Sequence, residues 1–189
     1  GYGIVADIGT KCESQPCILL RGDMDALPIE ETTKIDFASK HRGTMHACGH
    51  DAHTSMLIGA ASVVKYVERC IPGTVRFMFQ PAEEGGAGAK RMIEEGVLKL
   101  EPKPQCAYGM HVWPTLPSGA IGGRSGALLA ACERFEIVVE GTGGHAAMPH
   151  LTRDPIVASS ALVMSLQTLV SRKLSPLDSG VCSITMVKT

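Results

Sequence analysis

The stretch HTSMLIGAASVVKYVERCIPGTVRFMFQ (residues 53–80) changes its hydrophobic period halfway along, and that change decides the fold class. Apolar residues recur at Met56, Leu57, Ala60, Ala61, Val64 and Val67. That spacing lines one face of a helix, expected over His53 to Cys70. Pro72-Gly73 terminates it, since proline cannot continue the ladder and glycine frees the chain to turn. From Thr74 to Phe79 the pattern alternates, with Val75, Phe77 and Phe79 on one side, the mark of a strand. Upstream, the apolar run Cys17 to Arg21 ends in Gly22-Asp23, a buried strand entering a loop. Downstream, Gln80-Pro81 stops the second strand, and a glycine-rich turn leads into a helix near Gly88 to Glu95. Cys106 to Val112 is a further strand-like run. Strands alternating with helices predict an α/β domain with a mostly parallel sheet covered by helices on both faces. In such sheets functional groups gather at the carboxyl ends of the strands. Asp23/Asp25, Glu83/Glu84 and His111 all fall there.

A second unit begins in the Gly/Ser-rich stretch 117–126, so the expected division is 1–120 and 121–189. Arg134 to Glu140 alternates and reads as a strand with one wet face. Asp154 followed by Pro155 starts a helix running to about Lys173, and Val181 to Val187 reads as another strand. A strand–helix–strand set is half of a small α+β domain. The 18 Lys+Arg against 19 Asp+Glu leave a net charge of −1, which supplies no field for nucleic acid or anionic lipid. With 44% hydrophobic residues the chain has material for a core, yet no apolar run is long enough to span a bilayer. Seven cysteines without paired spacing fit a reducing, cytoplasmic compartment. The chain opens without an initiator methionine or leader and reads from the start as the middle of a domain.

The densest chemical signal is Met45-His46-Ala47-Cys48-Gly49-His50-Asp51-Ala52-His53. Four of the seven histidines lie between His41 and His53. Thiolate and imidazole together suit Zn²⁺ and its neighbours in the first transition row. Gly49 lets the backbone turn so that Cys48 and His50 face one ion. A closed zinc ribbon would need a second Cys/His pair, which is missing. A Cys48 nucleophile would need its base from across the fold, not from His46 or His50 beside it. Glu83-Glu84, in Gln80-Pro81-Ala82-Glu83-Glu84-Gly85-Gly86, reads either as a solvated surface pair or as one ligand and one base. In the second case one carboxylate binds metal and its neighbour takes a proton from the bound water. Asp23-Met24-Asp25 reads either as a plain turn or as a source of a carboxylate, Asp25, that orients a ligating histidine. Arg21-Gly22-Asp23 also spells an adhesion tripeptide, a coincidence if it lies at a buried strand end.

Five segments in order carry a family resemblance: Arg-Gly-Asp-Met-Asp-Ala-Leu-Pro (21–28), Met-His-Ala-Cys-Gly-His-Asp-Ala-His (45–53), Gln-Pro-Ala-Glu-Glu-Gly-Gly-Ala-Gly-Ala (80–89), Gly-Met-His (109–111) and Gly-Gly-His-Ala-Ala-Met-Pro-His (143–150). Together they resemble the amidohydrolase branch of the M20 metallopeptidases, which includes hippurate hydrolases, N-acyl-amino-acid amidohydrolases and auxin-conjugate hydrolases. The resemblance implies one or two divalent ions, Zn²⁺ or Mn²⁺ with Co²⁺ and Ni²⁺ also compatible, ligated by Cys48, His50, Glu84 and His111. It implies Glu83 as general base and acid, with metal-bound hydroxide attacking the amide of an N-acyl amino acid. Asp25 becomes a supporting carboxylate. Other M20 branches place a histidine ligand where Asp23 stands. The resemblance further implies that 121–189 is part of an inserted dimerisation domain, giving a homodimer. His145, in Gly141-Thr142-Gly143-Gly144-His145, would polarise the substrate carbonyl. The family's fifth ligand is a histidine beyond the insertion, so the 189 residues read as a piece of the catalytic domain plus part of the inserted one, not expected to turn over substrate alone. Alternatives are a related carboxypeptidase or dipeptidase, or a non-catalytic metal-binding and dimerisation module.

Overall fold

The computed structural model describes residues 2–189. They form two compact units, one ending at Gly122 and the other starting at Gly123. In the first, strands β1 (Ile4–Gly9), β2 (Cys17–Asp23), β3 (Thr74–Gln80) and β4 (Cys106–Gly109) make one sheet with the order β1-β3-β2-β4. Strands β3, β2 and β4 run parallel, and β1 pairs antiparallel with β3. The sheet is therefore mixed: three parallel strands fit the mostly parallel sheet read from the strand–helix alternation, and an antiparallel edge is added to them. The difference is β1, a short edge strand that had no counterpart among the expected elements.

Period-two alternation sends the strand side chains to two faces. On one, Ile8, Ile18, Leu20, Val75, Phe77 and Phe79 pack with Leu57, Ala60, Ala61 and Val64 of helix α1 (His50–Tyr66). On the other, Val5, Leu19 and Met78 meet Met92 of helix α2 (Gly88–Glu94) and Val97 of the following 3₁₀ turn. Helix α1 starts three residues earlier than its hydrophobic period indicates. Gly49, with φ 91°, makes the left-handed turn into it, and a Cβ there would come 2.5 Å from Val112 Cγ2. That early start places His50 and His53 on the same side of the first turn. The helix ends at Tyr66, a 3₁₀ turn over Glu68–Cys70 completing the approach to Pro72.

Arg76 points into the second face and is fully buried. Its Nε and Nη2 donate to the Asp7 carboxylate at 2.8 and 3.0 Å, and Nη1 donates to the Leu100 carbonyl at 2.9 Å. The pair ties edge strand β1 to β3. Removing one partner of such a pair leaves an uncompensated buried charge. Asp7→Ala is therefore expected to cost about 3–5 kcal/mol, and Asp7→Leu combined with Arg76→Met far less. Urea unfolding of the two variants checks this, and equal losses would show that the charge is not what matters.

In the second unit, helix α3 (Pro155–Lys173) begins where the sequence indicates. The Asp154 carboxylate caps it by accepting from the Ile156 and Val157 N–H groups at 2.8 and 3.3 Å. The strands expected over 134–140 and 181–187 do not form: among the described residues this unit has only the isolated Thr142–Arg153 bridge. Alternation sorts side chains to two sides, but a strand exists only where a second segment supplies its hydrogen bonds. No such ladder accompanies these two segments, so among the described residues the α+β arrangement expected for this unit is reduced to α3, a 3₁₀ turn over Pro149–Leu151 and a bridge.

Candidate metal centre

The three parallel strands end side by side, and the polar clusters that follow them meet there. Strand β2 delivers Asp23 and, two residues on, Asp25. The Gly49 turn and the first turn of α1 contribute Cys48, His50 and His53. The loop after β3 carries Glu83 and Glu84, and the chain leaving β4 carries His111. Ligand atoms of Cys48, His50 and His111 lie within 4.8 Å of one another, as do those of His50, Glu83 and Glu84. Six of the expected site residues are thus in the first unit. His145 lies in the second, exposed, with its Nδ1 accepting the Ala147 N–H at 3.1 Å. That bond leaves its proton on Nε2.

The hydrogen bonds fix which nitrogen of His50 and of His111 is free. His50, fully buried, donates from Nδ1 to the Asp25 carbonyl at 2.9 Å, so its lone pair is on Nε2. His111 donates from Nδ1 to the Val112 carbonyl at 2.7 Å, and its Nε2 faces Cys48 Sγ at 3.4 Å. Asp25 Oδ1 lies 3.3 Å from His50 Nδ1, while Oδ2 accepts the Glu84 N–H at 3.1 Å, linking the β3 loop to the histidine. Burial pushes the Asp25 carboxyl up, but the Glu84 and Glu83 backbone N–H groups outweigh it and hold the carboxyl below its ordinary value.

His50 Nε2 and Glu84 Oε1 are buried, 3.8 Å apart, and have no hydrogen-bond partner among the described residues. An unsatisfied buried polar atom costs about 1–3 kcal/mol, and two lone pairs aimed together are relieved by a metal ion or a proton between them. Ligands around one tetrahedral zinc at ordinary bond lengths are separated by about 3.3–3.8 Å. The 3.4 Å Cys48–His111 spacing is close to the sulfur–nitrogen edge of about 3.5 Å. The 3.8 Å between His50 Nε2 and Glu84 Oε1 is a few tenths of an ångström wider than the nitrogen–oxygen edge of about 3.4 Å. The donor set of thiolate, imidazole and carboxylate fits a first-row divalent ion.

Burial, the Glu84 hydrogen bond and the nearby carboxylates push the Cys48 thiol up to about 11. A free Cys48 is therefore a protonated thiol at neutral pH, which counts against the nucleophile reading, and a metal ion binding there as to a thiolate would displace that proton.

Asp23 and His53 form a third close group with His50, Asp23 Oδ2 lying 3.8 Å from His50 Nε2, but each of their side-chain polar atoms already has a hydrogen-bond partner. Asp23 is 1% exposed; its Oδ2 accepts from Arg21 Nη1 at 2.8 Å and its Oδ1 from His53 Nδ1 at 2.5 Å. Burial opposes ionisation of this carboxyl, yet the His53 hydrogen bond and the Arg21 charge win and lower it. The other nitrogen of His53, Nε2, accepts the Val112 N–H at 2.9 Å. Burial of Asp23 also puts the Arg21-Gly22-Asp23 tripeptide out of reach of any receptor. The sequence motif contains His53 but assigns it no role. Its available signal was the three-residue spacing from His50, which places both on one helical side.

The profile of Peptidase family M20/M25/M40 matches residues 19–186. The chain is 47% identical over 182 residues to an N-acetyl-L-cysteine deacetylase of Bacillus subtilis, covering 96% of this chain and 43% of that protein. It is also 47% identical over 182 residues to the IAA-amino acid hydrolase ILR1-like 5 of Arabidopsis thaliana, covering 96% of this chain and 41% of that one. Among solved structures it is similar to the Bacillus subtilis YXEP protein, described as a dinuclear metal binding peptidase from the M20 family. The TM-score is 0.61 at 39% identity, over 88% of this chain and 43% of that one. The chain spans less than half the length of each of these relatives. Among the described residues no helix is long and apolar enough to cross a membrane.

Proposed function

The chain belongs to Peptidase family M20/M25/M40, and from that premise we propose that it carries the metal centre of an amidohydrolase acting on N-acyl amino acids. The observation that carries this reading is the convergence of the unpartnered His50 Nε2 and Glu84 Oε1 with Cys48 and His111 at one sheet edge. Cys48, His50, Glu84 and His111 would hold one or two divalent ions, Zn²⁺ or Mn²⁺. Such an ion supplies Lewis-acid polarisation of the scissile carbonyl and lowers the pKa of water.

The chain's own residues do the rest. Glu83, exposed beside the ligand Glu84, is the base. It takes the proton from the attacking water and returns it to the leaving amine, so that the carbon–nitrogen bond breaks to a neutral amine. Asp25 holds both His50 and the Glu84 backbone in place and keeps the two ligands in register. His145, with its proton on Nε2, donates to the carbonyl oxygen as negative charge develops there. The second unit is the dimerisation element of a homodimer in this reading, and its His145 serves the centre of the partner subunit. The names of the deacetylase and auxin-conjugate hydrolase relatives support an acylated amino acid as substrate over a peptide. Hydrolysis by the full-length polypeptide should be found with acetyl-, benzoyl- or indole-acetyl-amino acids and be at least about tenfold slower in kcat/KM with unmodified dipeptides. Preference for dipeptides would make it a dipeptidase. Bound metal with no hydrolysis of any of them would make it a binding module.

A further inference from the structure

Val112 is gripped from both sides of its backbone. Its carbonyl accepts from His111 Nδ1 at 2.7 Å, and its N–H donates to His53 Nε2 at 2.9 Å. His53 is itself immobilised, 3% exposed, with Nδ1 held on Asp23 Oδ1. Asp23 in turn is clamped by Arg21, whose Nε donates to Gln80 Oε1 at 2.7 Å. A continuous strut therefore runs from the ends of β2 and β3, through the first turn of α1, to the segment that presents His111. His111 needs it. It is exposed, it lies beyond the last residue of β4, and no ladder hydrogen bond reaches it. The His53 and His111 rings are in contact edge to face, with centroids 4.7 Å apart. Gly49 completes the seat, since its bare Cα lets the Val112 side chain approach.

We propose that His53 is a positioning residue for the metal ligand His111, acting through the Val112 backbone with Asp23 as its anchor. His53 binds no metal, because one nitrogen donates to a carboxylate and the other accepts from an amide. This assignment rests on His111 being a ligand, as proposed above. It goes further in giving the buried Asp23–His53 pair one task, which is to hold an otherwise unsupported imidazole with Nε2 towards Cys48.

Two conservative replacements separate the two ends of the strut. The amide of an asparagine reaches the Nδ1 position and keeps the Asp23 bond but not the Val112 bond. The amide of a glutamine reaches the Nε2 position and keeps an acceptor for the Val112 N–H. Cobalt(II) titration of the full-length polypeptide, followed by the thiolate-to-cobalt charge-transfer band and the d–d spectrum, reads the centre without reference to turnover. His53→Asn is expected to weaken cobalt binding by about 10–100-fold, the usual effect of losing a ligand's support, and to alter the d–d bands. His53→Gln should recover most of that loss. In a His111→Ala background the same His53→Asn change should shift cobalt affinity less than about twofold, because residues acting through one another are not additive. An equal loss in both backgrounds would show that His53 merely supports the fold, and no loss in the parent would show that the strut is idle. Either result overturns the proposal. If the parent protein shows no thiolate-to-cobalt band, the ligand assignment itself fails and the positioning role falls with it. If the parent binds cobalt and His111→Ala does not weaken it, His111 alone is struck from the ligand set and the strut has nothing to position.

Discussion

Replacing Glu83 with glutamine in the full-length polypeptide is expected to leave its metal content unchanged and to cut amide hydrolysis by about 10²–10⁴-fold, the usual contribution of a positioned general base. The substitution is unusually clean at this position. Glu83 is exposed, and the loop that carries it is held by backbone N–H groups on the Asp25 carboxylate, which are indifferent to the side chain at 83. Glutamine keeps the shape and removes only the ability to accept and return a proton. Glu84→Gln, one residue on, should behave in the opposite way. It alters the buried oxygen that faces His50 Nε2 at 3.8 Å, so metal is lost before catalysis can be tested. The pair of variants thus assigns the two glutamates separately. Metal content by atomic emission and kcat with an acetyl-amino acid are the two readings. Turnover of Glu83→Gln within about tenfold of the parent, less than a general base contributes, would remove Glu83 from the reaction.

What was legible in the sequence was whatever a short window encodes. The switch of period between His53 and Gln80 located α1 and β3, and Asp154-Pro155 marked the start of α3, because helix faces, caps and breakers are local. Cys48 and His50 could be paired on spacing alone, as one glycine separates them. Edge strand β1 was not legible. Ile4–Gly9 is a short run, apolar apart from Asp7, with no alternation to mark a face, and it is a strand because β3, from Thr74 to Phe79, offers it hydrogen bonds. The same dependence runs the other way over 134–140 and 181–187, where alternation is present and no ladder forms among the described residues. Asp23 and His53 illustrate the point within the site. Each is an ordinary residue in its own window, and their role exists only once β2 and α1 bring them together across thirty positions. Ligands announce themselves by type and spacing, whereas the groups that hold ligands in place are made by tertiary structure.

Loading the centre with metal should stabilise the protein strongly, and His50→Ala should abolish that gain. A ligand that binds only the folded state adds about 4 kcal/mol at a thousandfold excess over its dissociation constant. Here the gain has a local source, because the ion satisfies two buried lone pairs that otherwise face each other unpaired. His50 is the pivot: it is fully buried, its Nδ1–H is fixed on the Asp25 carbonyl, and its Nε2 faces Glu84 on one side. The comparison must be made within each variant, with chelator and with added zinc. Truncating the imidazole also opens a cavity and discards the Asp25 bond, so the absolute melting temperature moves for other reasons. A zinc-induced rise in melting temperature that survives His50→Ala would move the ion away from this cluster. The pH dependence follows from Cys48. Its thiol is pushed up to about 11, so below that pH the metal-free site holds a proton that a thiolate ligand must release. Raising the pH from 6 to 9 should therefore strengthen zinc binding by about tenfold per unit through this one group, with the slope flattening as 11 is approached. In Cys48→Ser that proton is gone. Calorimetry in buffers of different ionisation enthalpy should then count about one proton fewer released per ion than in the parent, and an unchanged count would mean that Cys48 does not bind the metal as a thiolate.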